Sequence, residues 1–392
     1  RCHEVTDTVR EIRHFILSRK ESLEGYEAGK QFQIPLPEIY YAEAVDNRLF
    51  IYTKEKVYEV KMKLYAFEEA YGSKQFFRCS RTAVVNLMRI DYLRPALNGR
   101  LCARLQNGED IIISSNMNEK GCVNCHSFCN YSPTEFMFHA RTSPGGTIII
   151  KNNQPTKVQL SQLGSSKEGT YPHWHPSGKY IIFSTNTTRQ SFYSRNPNLI
   201  EVYDLESDLV LYDLVHNTVI TDPRFNGPAS FETFPAWAPD GKRLYYCTAP
   251  ARQLPKRLKE IKYSICSVSF NPDNGSFGET IDTIYTAHNK SASFPRISPD
   301  NQYLLFTESD YATFPIWHKE ADLKMISLQG SAPVDTDILN STDVESYHSW
   351  SSNGRWIIFS SRRLDGLYTR FFIAHLNENG KFSKPFLLPQ KD

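Results

Sequence analysis

Along most of the chain apolar and polar residues alternate with a period of two, and helical spacing shows at two places only. From Val5 to Leu17 apolar residues fall at Val5, Val9, Ile12, Ile16 and Leu17, with Thr6 or Asp7 as cap, which predicts an opening helix. The period then drops to two. "IYYAEAVDNRLFIYT" (Ile39–Thr53) is two β-rich arms around Asp46-Asn47 and predicts a hairpin. "VYEVKMKLYAFEEAYG" runs from a strand into a short helix ended by Gly72. The stretch from Phe76 to Ser115 reads as strands broken at Asn98-Gly99 and Asn107-Gly108. Together these elements predict a small β domain with one or two helices over residues 1–117.

Beyond residue 140 the alternation becomes a repeat. "YPHWHPSGKYIIFS", "FPAWAPDGKRLYYC", "FPRISPDNQYLLFT" and "YHSWSSNGRWIIFS" each carry an aromatic, a short spacer, a tight turn and an apolar strand, and "RTSPGGTIIIK" is a fainter fifth copy. Aligned on the turn, Gly146, Gly178, Gly241, Asn301 and Gly354 lie 32, 63, 60 and 53 residues apart. Each interval has room for one four-stranded sheet. Recurring turn and strand signals of this kind predict sheets set radially, with protected edges, over residues 142–392. The fold class is therefore mainly β.

Composition changes little in this picture. A chain of 392 residues, 40% hydrophobic and 22% charged, suits a globular protein of about two domains, and 13% aromatics suit sheet surfaces. Net charge near +2 gives no global signal for nucleic acid, but Arg78, Arg81, Arg89, Arg94, Arg100 and Arg104 against Asp91 make the segment 78–104 net +5. No run approaches the ~18 apolar residues of a membrane span. The chain opens at Arg1 rather than Met, so either a removed leader or a truncated start is expected. A nucleophile elbow, paired carboxylates and a phosphate-cradling glycine loop are all missing from the pattern, which predicts a protein that is not an enzyme. His173, His175 and His348 recur beside Trp174 or Trp350 and read first as hydrogen-bonding residues beside a turn, with a metal or catalytic role as the alternative.

"GCVNCHSFC" (Gly121–Cys129) needs its own chemistry. Cys122-x-x-Cys125-His126 has the spacing of c-type haem attachment: two thiols reach the vinyl groups of one porphyrin edge and the histidine becomes an axial ligand. Met137 or His139 would supply the other axial position. Cys122, Cys125, Cys129 and His139 could instead form a Cys₃His zinc site, Cys122 and Cys125 a redox dithiol, or the cysteines a structural disulfide or bare thiols.

Two resemblances bear on function. "YYAEAVDNRLFIYT", "FFRCSRTAVVNLMRI" and "LQNGEDIIIS", in this order over about Gln31–Ser115, resemble the LytTR family of DNA-binding domains found in bacterial response regulators. The resemblance implies that loops enter successive major grooves, with the turn at Asn47 and Arg48 and the loop of Ser80, Arg81 and Thr82 approaching duplex DNA, and Arg78 nearby. Arg can fork onto guanine or phosphate, and Asn, Ser and Thr add hydrogen bonds. The chain departs from the family in having Ser80 where His is common and Ser115 where an Arg is usual, a loss worth ~1–3 kcal/mol of binding. Asn86 in "VVN" reads as structural. The later repeats resemble the TolB-like β-propeller, with five recognisable blades against the usual six, so one blade is either degenerate or missing, and a missing one would leave the ring open. "CVNCHSFC…MFHAR" and the final "SRRLDGLYTRFFIA…KPFLLPQ" resemble uncharacterised TolB-like proteins of Bacteroidetes.

The resemblances conflict. Haem is attached to CxxCH outside the cytoplasm, whereas a LytTR domain meets the chromosome within it. The expected organisation is a DNA-binding domain over 1–117, a cysteine segment and junction over 118–141 and a propeller over 142–392, with Ser115–Gly121 as a fusion point. The leading expectation is a non-enzymatic regulator that binds duplex DNA, with the propeller as a scaffold for a protein or small-molecule ligand, in the cytoplasm. The alternative is a periplasmic or cell-surface propeller carrying covalent haem c, with an adventitious N-terminal part.

Overall fold

The computed structural model describes residues 22–71, 76–96, 100–113, 122–141, 146–151, 154–165, 167–193, 200–286 and 288–389. The helix expected over Val5–Leu17, the Asn98-Gly99 turn and the Ser115–Gly121 junction lie outside the described residues. Among those described the protein is mainly β with one α-helix, and no helix is long and apolar enough to cross a membrane. The chain divides into two compact units, Arg1–His126 with Ser132–Gln159, and Ser127–Tyr131 with Leu160–Asp392.

The N-terminal unit is built on a seven-stranded sheet of β1 (Ser22–Glu27), β2 (Lys30–Pro35), β3 (Tyr41–Val45), β4 (Arg48–Tyr52), β5 (Val57–Val60), β6 (Phe76–Arg78) and β7 (Ala83–Asn86), in the order β2-β1-β5-β4-β3-β7-β6. The helix α1 (Leu64–Tyr71) follows β5, as its sequence predicts. A three-stranded sheet joins β8 (Ile90–Ala96), β9 (Arg100–Leu105) and β10 (Asp110–Ile113), with Gly108 at φ 88° in the β9–β10 turn. A four-stranded sheet holds β11 (Cys122–Phe128), β12 (Phe136–Arg141), β13 (Gly146–Lys151) and β14 (Gln154–Val158).

Strand alternation makes two interiors. Ala42, Leu49, Ile51, Phe76 and Val84 face one, closed by Leu64 and Phe67 of α1. Their neighbours Tyr41, Phe77, Ala83 and Val85 face the other, which also takes Ala103 and Leu105 of β9 and Phe136, Phe138, Ala140, Ile148 and Ile150 of β12 and β13. Phe77 and Phe138 meet edge to face with centroids 5.4 Å apart. Here the structure corrects the expected organisation. Residues of the expected cysteine segment and of the fifth repeat copy share one four-stranded sheet, β11-β12-β13-β14, with strands in the same sequential order as the later sheets. The apolar face of β12 and β13 is buried against the N-terminal sheets, so the division falls at Gln159/Leu160. Gly146, at φ 153°, also lacks the left-handed turn conformation of the other four copies.

The C-terminal unit contains four antiparallel four-stranded sheets, each a meander. The first is Thr170–Trp174, Tyr180–Phe192, Ile200–Asp213 and Thr218–Ile220. The second is Ser230–Trp237, Arg243–Pro250, Ser264–Asn271 and Ser276–Tyr285. The third is Ser291–Ile297, Tyr303–Ser309, Asp322–Ser327 and Pro333–Val334, and the fourth Glu345–Trp350, Trp356–Ser361, Arg370–His375 and Phe386–Leu387. The first strand of each sheet packs on the first strand of the next, and among the described residues no contact as extensive joins the fourth sheet to the first.

The repeat explains this succession. Each first strand bulges at its aromatic residue, and Tyr171, Phe234, Phe294 and Tyr347 all have left-handed backbones, at φ 45°, 50°, 55° and 49°. Bulky residues avoid that region at a cost of about 1–3 kcal/mol each. The conformation aims each ring at the next sheet: Tyr171 to Phe234, Phe234 to Phe294 and Phe294 to Tyr347 lie 4.4, 4.3 and 4.6 Å apart between centroids. The tight turns that follow repeat too. Gly178, Gly241, Asn301 and Gly354 donate to the carbonyls of His175, Ala238, Ser298 and Ser351, each at 2.9 Å. His175 Nε2 crosses to the carbonyl of Gly241 (2.9 Å), where a Cβ would lie 2.6 Å from the imidazole. His348 Nε2 likewise donates to Leu305 O (3.1 Å).

In the first sheet the second and third strands pair far beyond the others, out to Phe192 and Ile200. This arm carries Glu201, whose carboxylate accepts from Tyr311 Oη (2.5 Å) and from His318 Nε2 (3.0 Å); Glu320 lies 3.2 Å from His318 Nδ1. Burial alone would lower the His318 pKa, but its bonds to Glu201 and Glu320 outweigh that and raise it to about 9. Burial would raise Glu320, whereas its bonds to His318 and to backbone N–H hold it near 2.

Two expectations follow from these packing contacts. Phe294→Ala removes the middle link of the ring chain and is expected to cost about 3–5 kcal/mol in urea unfolding of the C-terminal unit. The His318 contribution is complete below its ordinary pKa of 6.5 and is lost as pH rises through 9, while that of Glu320 is present above 4.5 and lost as pH falls towards 2. The urea midpoint should therefore fall between pH 7 and 10, and His318→Gln should flatten that fall.

Candidate nucleic-acid interface

Three connections of the seven-stranded sheet converge on one end. Asp46 and Asn47, at φ 46° and 67°, make the β3–β4 turn a type I′ hairpin. The β3–β7 register pairs Glu43 with Ala83, and Ala44 N donates to Thr82 O (2.6 Å), so the loop 79–82 lies beside that turn. On its other side the β4–β5 register pairs Leu49 with Val60, which brings in the connection 61–63.

The resulting rim is polar and basic. Asn47, Arg48, Lys61, Lys63, Arg81 and Thr82 are exposed and Ser80 is part-buried. Arg48 lies 3.6 Å from Glu59 with both side chains largely in solvent, a weak pair. Among the described residues the Arg81 guanidinium has no hydrogen-bond or ion-pair partner. Lys61 Nζ sits 4.2 Å from the Tyr26 ring centroid. Lys63 Nζ donates to Asn47 O (3.0 Å) and Oδ1 (2.7 Å), which fixes the carboxamide and leaves its NH₂ to donate outward.

Arg78 has a different place from that expected. Its Nε donates to Ser80 O (2.7 Å), Nη2 to Arg81 O (2.5 Å) and Nη1 to Glu68 on α1 (3.0 Å). The planar fork is engaged within the chain, so Arg78 shapes the loop that presents Ser80, Arg81 and Thr82. Ser80 Oγ accepts from Thr82 N (3.2 Å), which tightens the same loop. Asn86 is wholly buried, donates to Ile39 O (2.6 Å) and accepts from Met88 N (3.0 Å), which is a structural role. The sequence reading missed Lys61 and Lys63. Their two-residue spacing after a β-strand was the available signal, but only the β4–β5 pairing brings them to the Asn47 turn.

The cysteine segment is arranged otherwise. Cys122, Cys125 and His126 all lie on β11, and Cys125 has a left-handed backbone at φ 54°. Three residues of strand separate the two cysteines by about 10 Å. Met137 is wholly buried on β12, and His139, also buried, has Nδ1 3.2 Å from Thr147 Oγ1 on β13. The cysteine segment is thus extended, and both axial candidates are packed within the β12–β13 pair. Among the described residues no three His, Cys, Asp or Glu side chains are grouped to hold a metal ion. The Cys122 side chain, part of the Cys122, Cys125, Cys129 and His139 set, lies outside them.

The sequence model of the LytTr DNA-binding domain matches residues 29–120. That span contains all three connections. Over 73 residues the chain is 36% identical to the transcriptional regulatory protein YpdB of Escherichia coli K12, which is 19% of this chain and 30% of YpdB. The chain thus spans less than a third of the curated relative's length. Among solved structures, a LytTr DNA-binding domain from Bacillus cereus is 24% identical and covers 24% of this chain and 85% of its own, with a TM-score of 0.23. An oligogalacturonate lyase from Vibrio parahaemolyticus is 10% identical over 92% of this chain and 97% of its own, with a TM-score of 0.43.

Arg78→Met removes three charge-assisted bonds and is expected to destabilise the N-terminal unit by about 2–3 kcal/mol in chemical unfolding. Trypsin should then cut after Arg81 faster than in the parent chain, with limited proteolysis as the measurement.

Proposed function

We propose that the domain over residues 29–120 binds duplex DNA and that the chain acts as a transcriptional regulator. The observation that carries this reading is the convergence of Asn47, Arg48, Lys61, Lys63, Ser80, Arg81 and Thr82 on one end of the sheet, within the span matched by the LytTr DNA-binding model. In this reading Arg48, Lys61 and Arg81 meet phosphate or guanine, while the Asn47 carboxamide, held by Lys63, meets a base edge. Arg78 and Lys63 act behind them as positioning residues. The regulator similarity of YpdB supports the wider role. The four C-terminal sheets, with first strands packed in succession, support a propeller-like scaffold for a ligand or partner.

The test is electrophoretic retardation of genomic duplex fragments by the full chain across a salt series. Binding should weaken steeply with salt, and Arg81→Met should lower the slope of log K against log salt by about 0.9. It should also weaken binding at every sequence, or relax preference at one base if the residue reads guanine. A lack of retardation at low salt would discard the reading.

A further inference from the structure

On the first strand of the third C-terminal sheet a guanidinium has no ion-pair partner among the described residues. Arg296 lies on Ser291–Ile297, two residues beyond the left-handed Phe294. Its Nη1 donates to Pro295 O (2.8 Å), and among the described residues Nε and Nη2 have no acceptor. The ionisable group whose charge would favour it is Cys247, but burial pushes that thiol's pKa up and keeps it neutral. Burial disfavours the charged guanidinium, yet the side chain retains accessible surface. Interior cations are ordinarily paired with an anion.

A second donor comes from the first sheet. His173 Nδ1 accepts the backbone N–H of Trp237 (3.1 Å), and burial, reinforced by the charge of Arg296, lowers the ring's pKa to about 3. A neutral imidazole that accepts at Nδ1 carries its proton on Nε2. That N–H has no acceptor among the described residues, and His173 too is only part-buried. His348 of the fourth sheet also feels the charge of Arg296, but its Nε2 is engaged with Leu305 O. His173 on the first sheet thus lies within reach of the charge of Arg296 on the third, and among the described residues neither the Nε–Nη2 edge nor His173 Nε2–H has an acceptor.

We propose that Arg296 and His173 form a binding site for a small carboxylate. The open Nε–Nη2 edge of the guanidinium presents two parallel N–H groups, which match the two oxygens of a planar carboxylate, and His173 Nε2–H supplies a third bond. This site is independent of the DNA reading, since none of its residues lies in the matched domain.

Isothermal titration of the full chain with benzoate, benzamide and inorganic phosphate at pH 7 tests it. Benzoate should bind at one saturable site and benzamide should not. Arg296→Met should weaken benzoate at least tenfold, and Arg296→Lys, which keeps charge but loses the fork, should fall between. Absence of saturable benzoate binding, or undiminished binding in Arg296→Met, overturns the site; phosphate binding tighter than benzoate overturns the carboxylate assignment. Should Arg296→Met fail to fold by circular dichroism, phenylglyoxal modification of the parent chain decides. Benzoate must slow modification at Arg296, mapped by mass spectrometry, and an unchanged rate overturns the proposal.

Discussion

A left-handed aromatic residue at the bulge of a first strand is the constraint on which the C-terminal unit rests. The conformation is unfavourable for one residue, and an aromatic contact returns only about 0.5–1.5 kcal/mol beyond the area it buries. Repeated four times, the arrangement makes each ring both the filler of one interface and the wall of the next, from Tyr171 to Tyr347. The bulge also turns the residues after the ring. His173 and Arg296 occupy the same place in their repeats, directly after the bulge, so one backbone device both joins the sheets and sets where these two side chains leave their strands.

In the N-terminal unit the corresponding demand is burial on both faces. Tyr41 and Ala42 are adjacent yet enter different interiors, as do Phe76 and Phe77. With the middle of the sheet fixed from both sides, polar variety is left to the connections at its end. Those connections are braced from behind: Arg78 ties the 79–82 loop to α1, and Lys63 ties Asn47 to the end of β5. Pre-organised loops lose less freedom on binding than mobile ones.

Much of this was legible in the residues. Period-two alternation and Asp46-Asn47 marked the β3–β4 hairpin, and the recurring aromatic and turn marked the four C-terminal sheets. Legibility failed where tertiary pairing decides. "RTSPGGTIIIK" ends in a strand of a four-stranded sheet, as the other copies do, but the apolar face of β12 and β13 is buried with Phe77, Val85 and Leu105, which no local pattern could reveal. Arg78 was visible as a cation in a basic stretch, yet its three internal acceptors come from loop geometry and from α1. CxxCH is a spacing only, and its chemistry depends on whether the backbone curls or extends; here it forms a strand.

The arm of the first sheet has a further consequence for how the chain is made. Its Glu201 meets His318, a partner 117 residues downstream. During synthesis the arm must wait, its buried carboxylate still hydrated, until most of the following two sheets have left the ribosome. Closing so wide a loop comes late and adds a non-local step to assembly. The nascent first sheet is thus exposed longest at the end where its longest strands leave backbone edges open to other chains.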